Sequence, residues 1–145
     1  MHGNDGTMTT DFKNCLTLTM VMAARALTRR YDEKLRSFGV SVAQFSVLVT
    51  VKNSKSQTVT QMAGGIAMDR TTLLRNLELL VRRELVRSFP AQNRNGRVFE
   101  LTEKGAALLE ELVPEWRKAQ AEIAELLSGQ DTDALLDSLR ILIRG

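Results

Sequence analysis

Six hydrogen-bonding side chains crowd into the run Asp69-Arg70-Thr71-Thr72-Leu73-Leu74-Arg75-Asn76. Arg70, Thr71, Thr72, Arg75 and Asn76 all avoid the stripe of Leu73, Leu77 and Leu80, so on a helix they would face away from its apolar side. An arginine can bond guanine through two N–H groups, an asparagine can do the same with adenine, and a threonine serves base or phosphate. The free N–H groups at the start of such a helix suit a phosphate. These residue types in this order point to reading a duplex through its major groove. Further along, Asn95-Gly96 is a strong hairpin-turn dipeptide because both residues tolerate positive φ, and Arg94 and Arg97 flank it. Both arginines are expected to project from the turn. A narrow hairpin with arginines at its tip can enter the minor groove, where negative potential is concentrated.

Catalysis has little to work with. The chain holds one histidine, His2, and one cysteine, Cys15, which excludes an internal disulfide and a Cys/His zinc cluster. It has no glycine-rich phosphate loop and no Ser/His/Asp set, and Glu110, Glu111 and Glu115 fall on the outer face of a long helix. No enzyme, cofactor or metal is therefore expected. Cys15 is a candidate redox sensor, since a thiol near a helix start can have a lowered pKa. A buried, inert cysteine on an apolar stripe is the competing account.

The elements that must position these side chains follow from periodicity. Met1 to Thr10 is small and polar with two glycines, a flexible lead. From Asp11 to Phe38, Leu16, Met20, Ala23, Leu27, Tyr31, Leu35 and Phe38 recur at helical steps, so one long helix is expected, ended by Gly39. A second stripe (Cys15, Leu18, Met22, Ala26) widens its apolar arc and calls for cover on two sides. Ser41 with Gln44 and Thr58 with Gln61 each fit a capping box, the second opening a helix that holds Met62 and Ile66. Asp69 opens a third helix by accepting an N–H from Thr71 or Thr72.

After Leu85 the period falls from 3.6 towards 2. Residues 86–89 and 97–101 read as strands around a loop from Pro90 to Gly96. Thr102 caps a long helix holding Leu108, Leu112, Trp116, Ile123 and Leu127, with Pro114 expected to kink it and Gly129 to end it. Leu135, Leu136, Leu139, Leu142 and Ile143 mark a closing amphipathic helix. The expected fold class is mainly α with a small β-hairpin, in the order α-α-α-α-β-β-α-α. Two short helices, the second rich in Arg and Thr, followed by a basic hairpin, describe a winged helix-turn-helix.

Charge agrees with that arrangement. At 145 residues the chain is about one domain long, and its formal net charge is +3. Resolved by segment, residues 1–51 carry +2, residues 52–97 carry +6 and residues 98–145 carry −5. Residues 70–97 contain seven Arg, no Lys and two Glu, a bias towards the cation that binds phosphates and bases. A basic middle followed by an acidic segment suggests a surface for a polyanion. No apolar run approaches the ~20 residues of a membrane span, so no membrane partner is expected. A single thiol kept reduced places the chain in the cytoplasm.

Residues 39–45 (Gly39 to Phe45), 58–63 (Thr58 to Ala63), 68–73 (Met68 to Leu73), Leu85-Val86 and 101–105 (Leu101 to Gly105) together resemble the MarR family of bacterial transcriptional regulators. The resemblance runs from about Phe12 to the end of the chain. It implies a single domain over residues 11–145, with residues 11–38 and 103–145 as intertwined dimerisation helices and residues 40–102 as the winged helix-turn-helix lobe. It implies a homodimer on a double-stranded DNA operator with inverted half-sites, the two recognition helices ~34 Å apart in successive major grooves. It implies a repressor released by a small-molecule effector or an oxidant.

Effectors in this family lodge between the dimerisation helices and the winged motif, where residues such as Met22, Phe45 and Trp116 could line a cavity. Plain core packing is the competing account, and no ligand residue is assigned. Some members sense oxidants in the region of Cys15. Four departures from the family pattern stand out. Asn93 holds the acidic position of the wing's Asp-x-Arg signature, and Gly64-Gly65 sits in the first helix of the motif. Glu84 stands where Gly is usual, and Leu74 takes a place often held by a small hydroxyl residue. Two other functions compete, a winged-helix adaptor for an acidic protein and a thiol switch at Cys15. A steep salt dependence argues against the adaptor, and the response of Cys15→Ser to oxidant tests the switch.

Overall fold

The computed structural model describes residues 10–54, 57–92 and 95–145, so most of the polar lead, Asn93 and Arg94 lie outside the described residues. The elements are α1 (Leu16–Leu35), a 3-10 turn (Arg36–Phe38), α2 (Val42–Asn53), α3 (Val59–Ala63), α4 (Arg70–Arg82), β1 (Val86–Pro90), β2 (Arg97–Leu101), α5 (Glu103–Leu126) and α6 (Thr132–Arg144). This is the order that periodicity predicts.

The first helix is not continuous from Asp11, as its stripe suggests. Residues 10–13 are helical, but the N–H groups of Asn14 and Cys15 bond the carbonyls of Asp11 and Phe12 at 3.0 Å, three residues back. Those tighter bonds and a turn-favouring Asn close the segment. Cys15 is extended (φ −65°, ψ 120°), and a new helix starts at Leu16. At the other end Gly39 takes φ +68°, the left-handed stop that a glycine supplies without strain.

Both halves of the Ser41 box form, with Gln44 N–H donating to Ser41 Oγ and Ser41 N–H to Gln44 Oε1, each at 3.1 Å. Val42 N–H also donates to Asp32 Oδ1 at 2.7 Å, which ties the start of α2 to α1. Thr58 N–H donates to Gln61 Oε1 at 2.9 Å, yet α3 stops at Ala63 and does not reach Ile66. Gly64-Gly65 follows, and each glycine weakens a helix by roughly 1 kcal/mol against alanine.

The strands pair antiparallel from Val86↔Leu101 to Pro90↔Arg97, so β1 runs one residue past Phe89. Among the described residues of the loop only Gly96 has positive φ (+107°); Asn95 does not share it. A single bridge, Thr58↔Val98, fastens the start of α3 to the outer edge of β2. One core joins these parts. Leu73, Leu77 and Leu80 of α4 are fully buried with Leu35, Leu48, Met62, Leu85 and Leu112, each such side chain contributing about 1.5–3 kcal/mol.

The corner after α4 is tightly held. Glu84 takes φ +61°, the one non-glycine positive φ among the described residues, so the left-handed stop survives without the usual Gly. Thr102 Oγ donates to Glu84 O at 2.6 Å, Thr102 N–H to Leu85 O at 3.1 Å, and Lys104 Nζ to Arg83 O at 3.1 Å. Gly105 lies so close that a Cβ there would sit 1.9 Å from Leu85 O. Two substitutions at this corner should have opposite signs. Glu84→Gly relieves a left-handed strain of about 1 kcal/mol and should raise Tm by roughly 2–4 °C. Gly105→Ala drives α5 off the corner and should cost at least about 2 kcal/mol. Thermal unfolding followed by circular dichroism checks both.

Candidate nucleic-acid interface

Helix α4 begins on a well-made cap. Asp69 Oδ1 accepts Thr72 N–H at 2.7 Å and Asp69 Oδ2 accepts Thr72 Oγ at 3.0 Å. These bonds favour the charged carboxylate and hold Asp69 below its ordinary pKa, with the Thr71 N–H and the Arg75 charge adding to the effect. The buried stripe of Leu73, Leu77 and Leu80 then sets which residues of the helix meet solvent.

Of the five residues expected to face outward, Arg70, Thr71 and Arg75 are exposed. Thr72 and Asn76 are half-buried and bonded within their own helix. Thr72 closes the cap, and Asn76 Nδ2 donates to Thr72 O at 2.9 Å and lies 4.0 Å from Met68 Sδ. Glu78 and Arg82 join the outward face, continuing a row from Thr71 and Arg75. That row was readable from the i, i+4, i+7, i+11 spacing of 71, 75, 78 and 82.

The hairpin stands beside this face. A groove of about 340 Å³ separates the two, with Thr58, Arg70, Leu74, Asn95 and Arg97 along its walls. Arg97 does not project from the turn as the sequence suggests. Its Nε donates to Ser88 Oγ and its second guanidinium nitrogen to Ser88 O at 3.2 Å. Arg97 stays exposed, and register explains why its side chain lies back along the hairpin. Arg97 is opposite Pro90, and Ser88 is its diagonal neighbour, within reach of a long side chain. Arg87 pairs with Glu100 at 3.2 Å across the strands, and Arg83 donates to Gly39 O at 2.9 Å.

A second feature lies between this lobe and the long helices. A cavity of about 500 Å³ is bounded by Phe45, Val49, Ile66, Val113, Trp116 and Arg117. Trp116 stacks between Phe45 and Tyr31, with ring centroids 6.1 and 6.4 Å away. Tyr31 donates to Gln120 Oε1. Phe45 and Trp116 line the cavity, whereas Met22 does not and is 61% exposed on α1. Cys15 is half-buried at the break before α1 and makes no side-chain capping bond.

Apolar surface is left open on the outer helices. No residue of α6 is buried, and Ile143 is 82% exposed; Leu16 of α1 is 66% exposed. Among the described residues no helix is long and apolar enough to cross a membrane.

No family model and no curated protein matches the chain. Solved structures do. The transcriptional regulator MosR of M. tuberculosis is 36% identical and superposes with a TM-score of 0.82, over 92% of this chain and 96% of its own. The chain belongs to the MarR family of transcriptional regulators. A MosR structure in complex with DNA is likewise 36% identical, with a TM-score of 0.75 over 88% of this chain and 92% of its own. A mutant MarR from E. coli complexed with operator DNA shares the fold at 24% identity, with a TM-score of 0.79 over 88% and 92%. The mostly helical MarR fold with its two-stranded hairpin is the frame on which Arg70, Thr71 and Arg75 are presented.

The lowered pKa of Asp69 carries a sign. The cap's contribution is complete above the unfolded carboxylate range, about pH 4, and is lost as pH falls through the lower folded value. Asp69→Ala should therefore speed exchange of the Thr72 amide at neutral pH. Asp69→Asn should keep the cap and remove its loss in acid. Amide hydrogen exchange measured against pH tests both.

Proposed function

We propose that this chain is a homodimeric, sequence-specific regulator of transcription, acting in the cytoplasm as a repressor on a double-stranded DNA operator with inverted half-sites. One observation carries the reading. Arg70, Thr71 and Arg75 stand exposed together at the start of a capped helix whose other side is fixed in the core. Residues 40–102 form the DNA-binding lobe, with Arg70, Thr71 and Arg75 reading base edges and phosphates. Thr72 and Asn76 serve by holding the helix start rather than by free contact. Arg97 contributes charge from the hairpin, and Arg94 joins it on sequence grounds. The solution of MosR with DNA and of MarR with operator DNA supports this assignment.

Residues 11–38 and 103–145 supply the dimer. The open apolar side chains of α1 and α6 need a cover that the described residues do not provide, and a second copy provides it symmetrically. The cavity beside Trp116 takes the effector, a small apolar molecule whose acidic group meets Arg117. Gly65, Ile66 and Ala67 also touch the cavity and lead directly into Asp69, so an occupant there bears on the placement of α4. Release requires that the effector bind the DNA-free arrangement more tightly. The cavity, more than oxidation of Cys15, is placed to act on α4.

Selection from random duplex DNA should return an inverted repeat, and log K should fall linearly with log salt. Arg75→Ala should weaken binding to the best sequence by about 1–3 kcal/mol and relax the preference at one base pair of each half-site. Equal binding by this variant and the parent would overturn the recognition-helix assignment.

A further inference from the structure

Leu74 is an apolar residue outside the core. It is 37% exposed, whereas Leu73 and Leu77 on the same helix are fully buried. It neighbours Arg75 on the open side of α4 and lines both grooves between that helix and the hairpin. Arg70, Asn95 and Arg97 line the first with it, and Glu78, Arg82 and Ser88 the second. The described residues of the hairpin leave over a third of its surface open. An isobutyl group among arginines cannot bond a phosphate, so any contribution it makes at this face is an apolar contact.

The hydrogen bonds of α4 narrow what that contact is. Asn76, the side chain suited to adenine, donates to Thr72 O, and Thr72 is bonded to Asp69. The exposed polar residues at the start of the helix are Arg70 and Arg75, whose guanidinium groups favour guanine, and Thr71, which serves base or phosphate. Besides the hydrogen-bonding groups adenine N7 and N6 and thymine O4, an A·T pair presents the C5-methyl group of thymine in the major groove, which apolar side chains recognise. We propose that Leu74 reads a thymine methyl and so sets one position of the target sequence. This rests on the DNA-binding reading above and adds a base identity to it.

Replacing thymine by deoxyuridine removes that methyl and leaves the pairing intact, which makes the test chemical. Starting from the duplex the parent protein selects, each dT is changed to dU in turn and binding is measured for the parent and for Leu74→Ala. Leucine and alanine are both good helix formers and the site is open, so circular dichroism should match the parent. The parent should lose about fourfold per half-site at one thymine, the worth of one apolar carbon removed from water. Leu74→Ala should bind the dT and dU duplexes equally. Sequence-selective binding by the parent that ignores dU at every position, or a Leu74→Ala variant that keeps the parent's dT/dU ratio, overturns this inference alone. A parent that selects no sequence overturns the DNA-binding reading and this one with it.

Discussion

Burial of Leu73, Leu77 and Leu80 fixes the rotation of α4 about its own axis, and the chemistry of the exposed face follows from that rotation. Truncating a buried leucine typically costs 2–5 kcal/mol, so three of them on one stripe leave the helix a single way to lie. Thr71, Arg75, Glu78 and Arg82 are turned to solvent as a consequence. Thr72 and Asn76 fall at the margins, where the nearest hydrogen-bonding partners belong to the helix itself.

The two ends of α4 are held by different means. At its start the Asp69 carboxylate satisfies N–H groups that would otherwise lack partners. At its end three successive carbonyls, of Arg83, Glu84 and Leu85, accept bonds from Lys104 and Thr102 at the head of α5. The close approach of Gly105 removes the last slack at that join. Arg83 also reaches the carbonyl of Gly39 at the end of the first helical segment, so α4 is joined to both long helices. These ties converge on one corner.

Charge is partitioned to match. The strongly basic segment is the lobe that carries α4 and the hairpin, and the acidic one is α5 and α6. On the acidic helices, Glu122 with Lys34 of α1, Glu115 with Lys118 and Asp137 with Arg140 are surface pairs, and such pairs are worth about 0–1 kcal/mol. Their carboxylates matter more as a field, which disfavours a polyanion on the long helices and leaves the basic lobe as its place of approach.

What the sequence by itself determined is whatever depends on a few neighbouring residues. The Ser41 box, the Asp69 cap, the Gly39 stop and the leucine stripe of α4 are local rules, and each is met. Together they set the order of elements and the class of surface. The tertiary structure decided whatever depends on which groups meet through space. The side chain of Arg97 was free to project until strand register brought Ser88 within its reach. Glu84 takes a glycine's conformation because α5 holds its carbonyl. Asn76 was a base reader by type and became a brace once burial of its neighbours set its side chain beside the Thr72 carbonyl. Residue type limits the bonds a side chain can make, but rotation and register choose the partner, and both are set by a core assembled from distant parts of the chain.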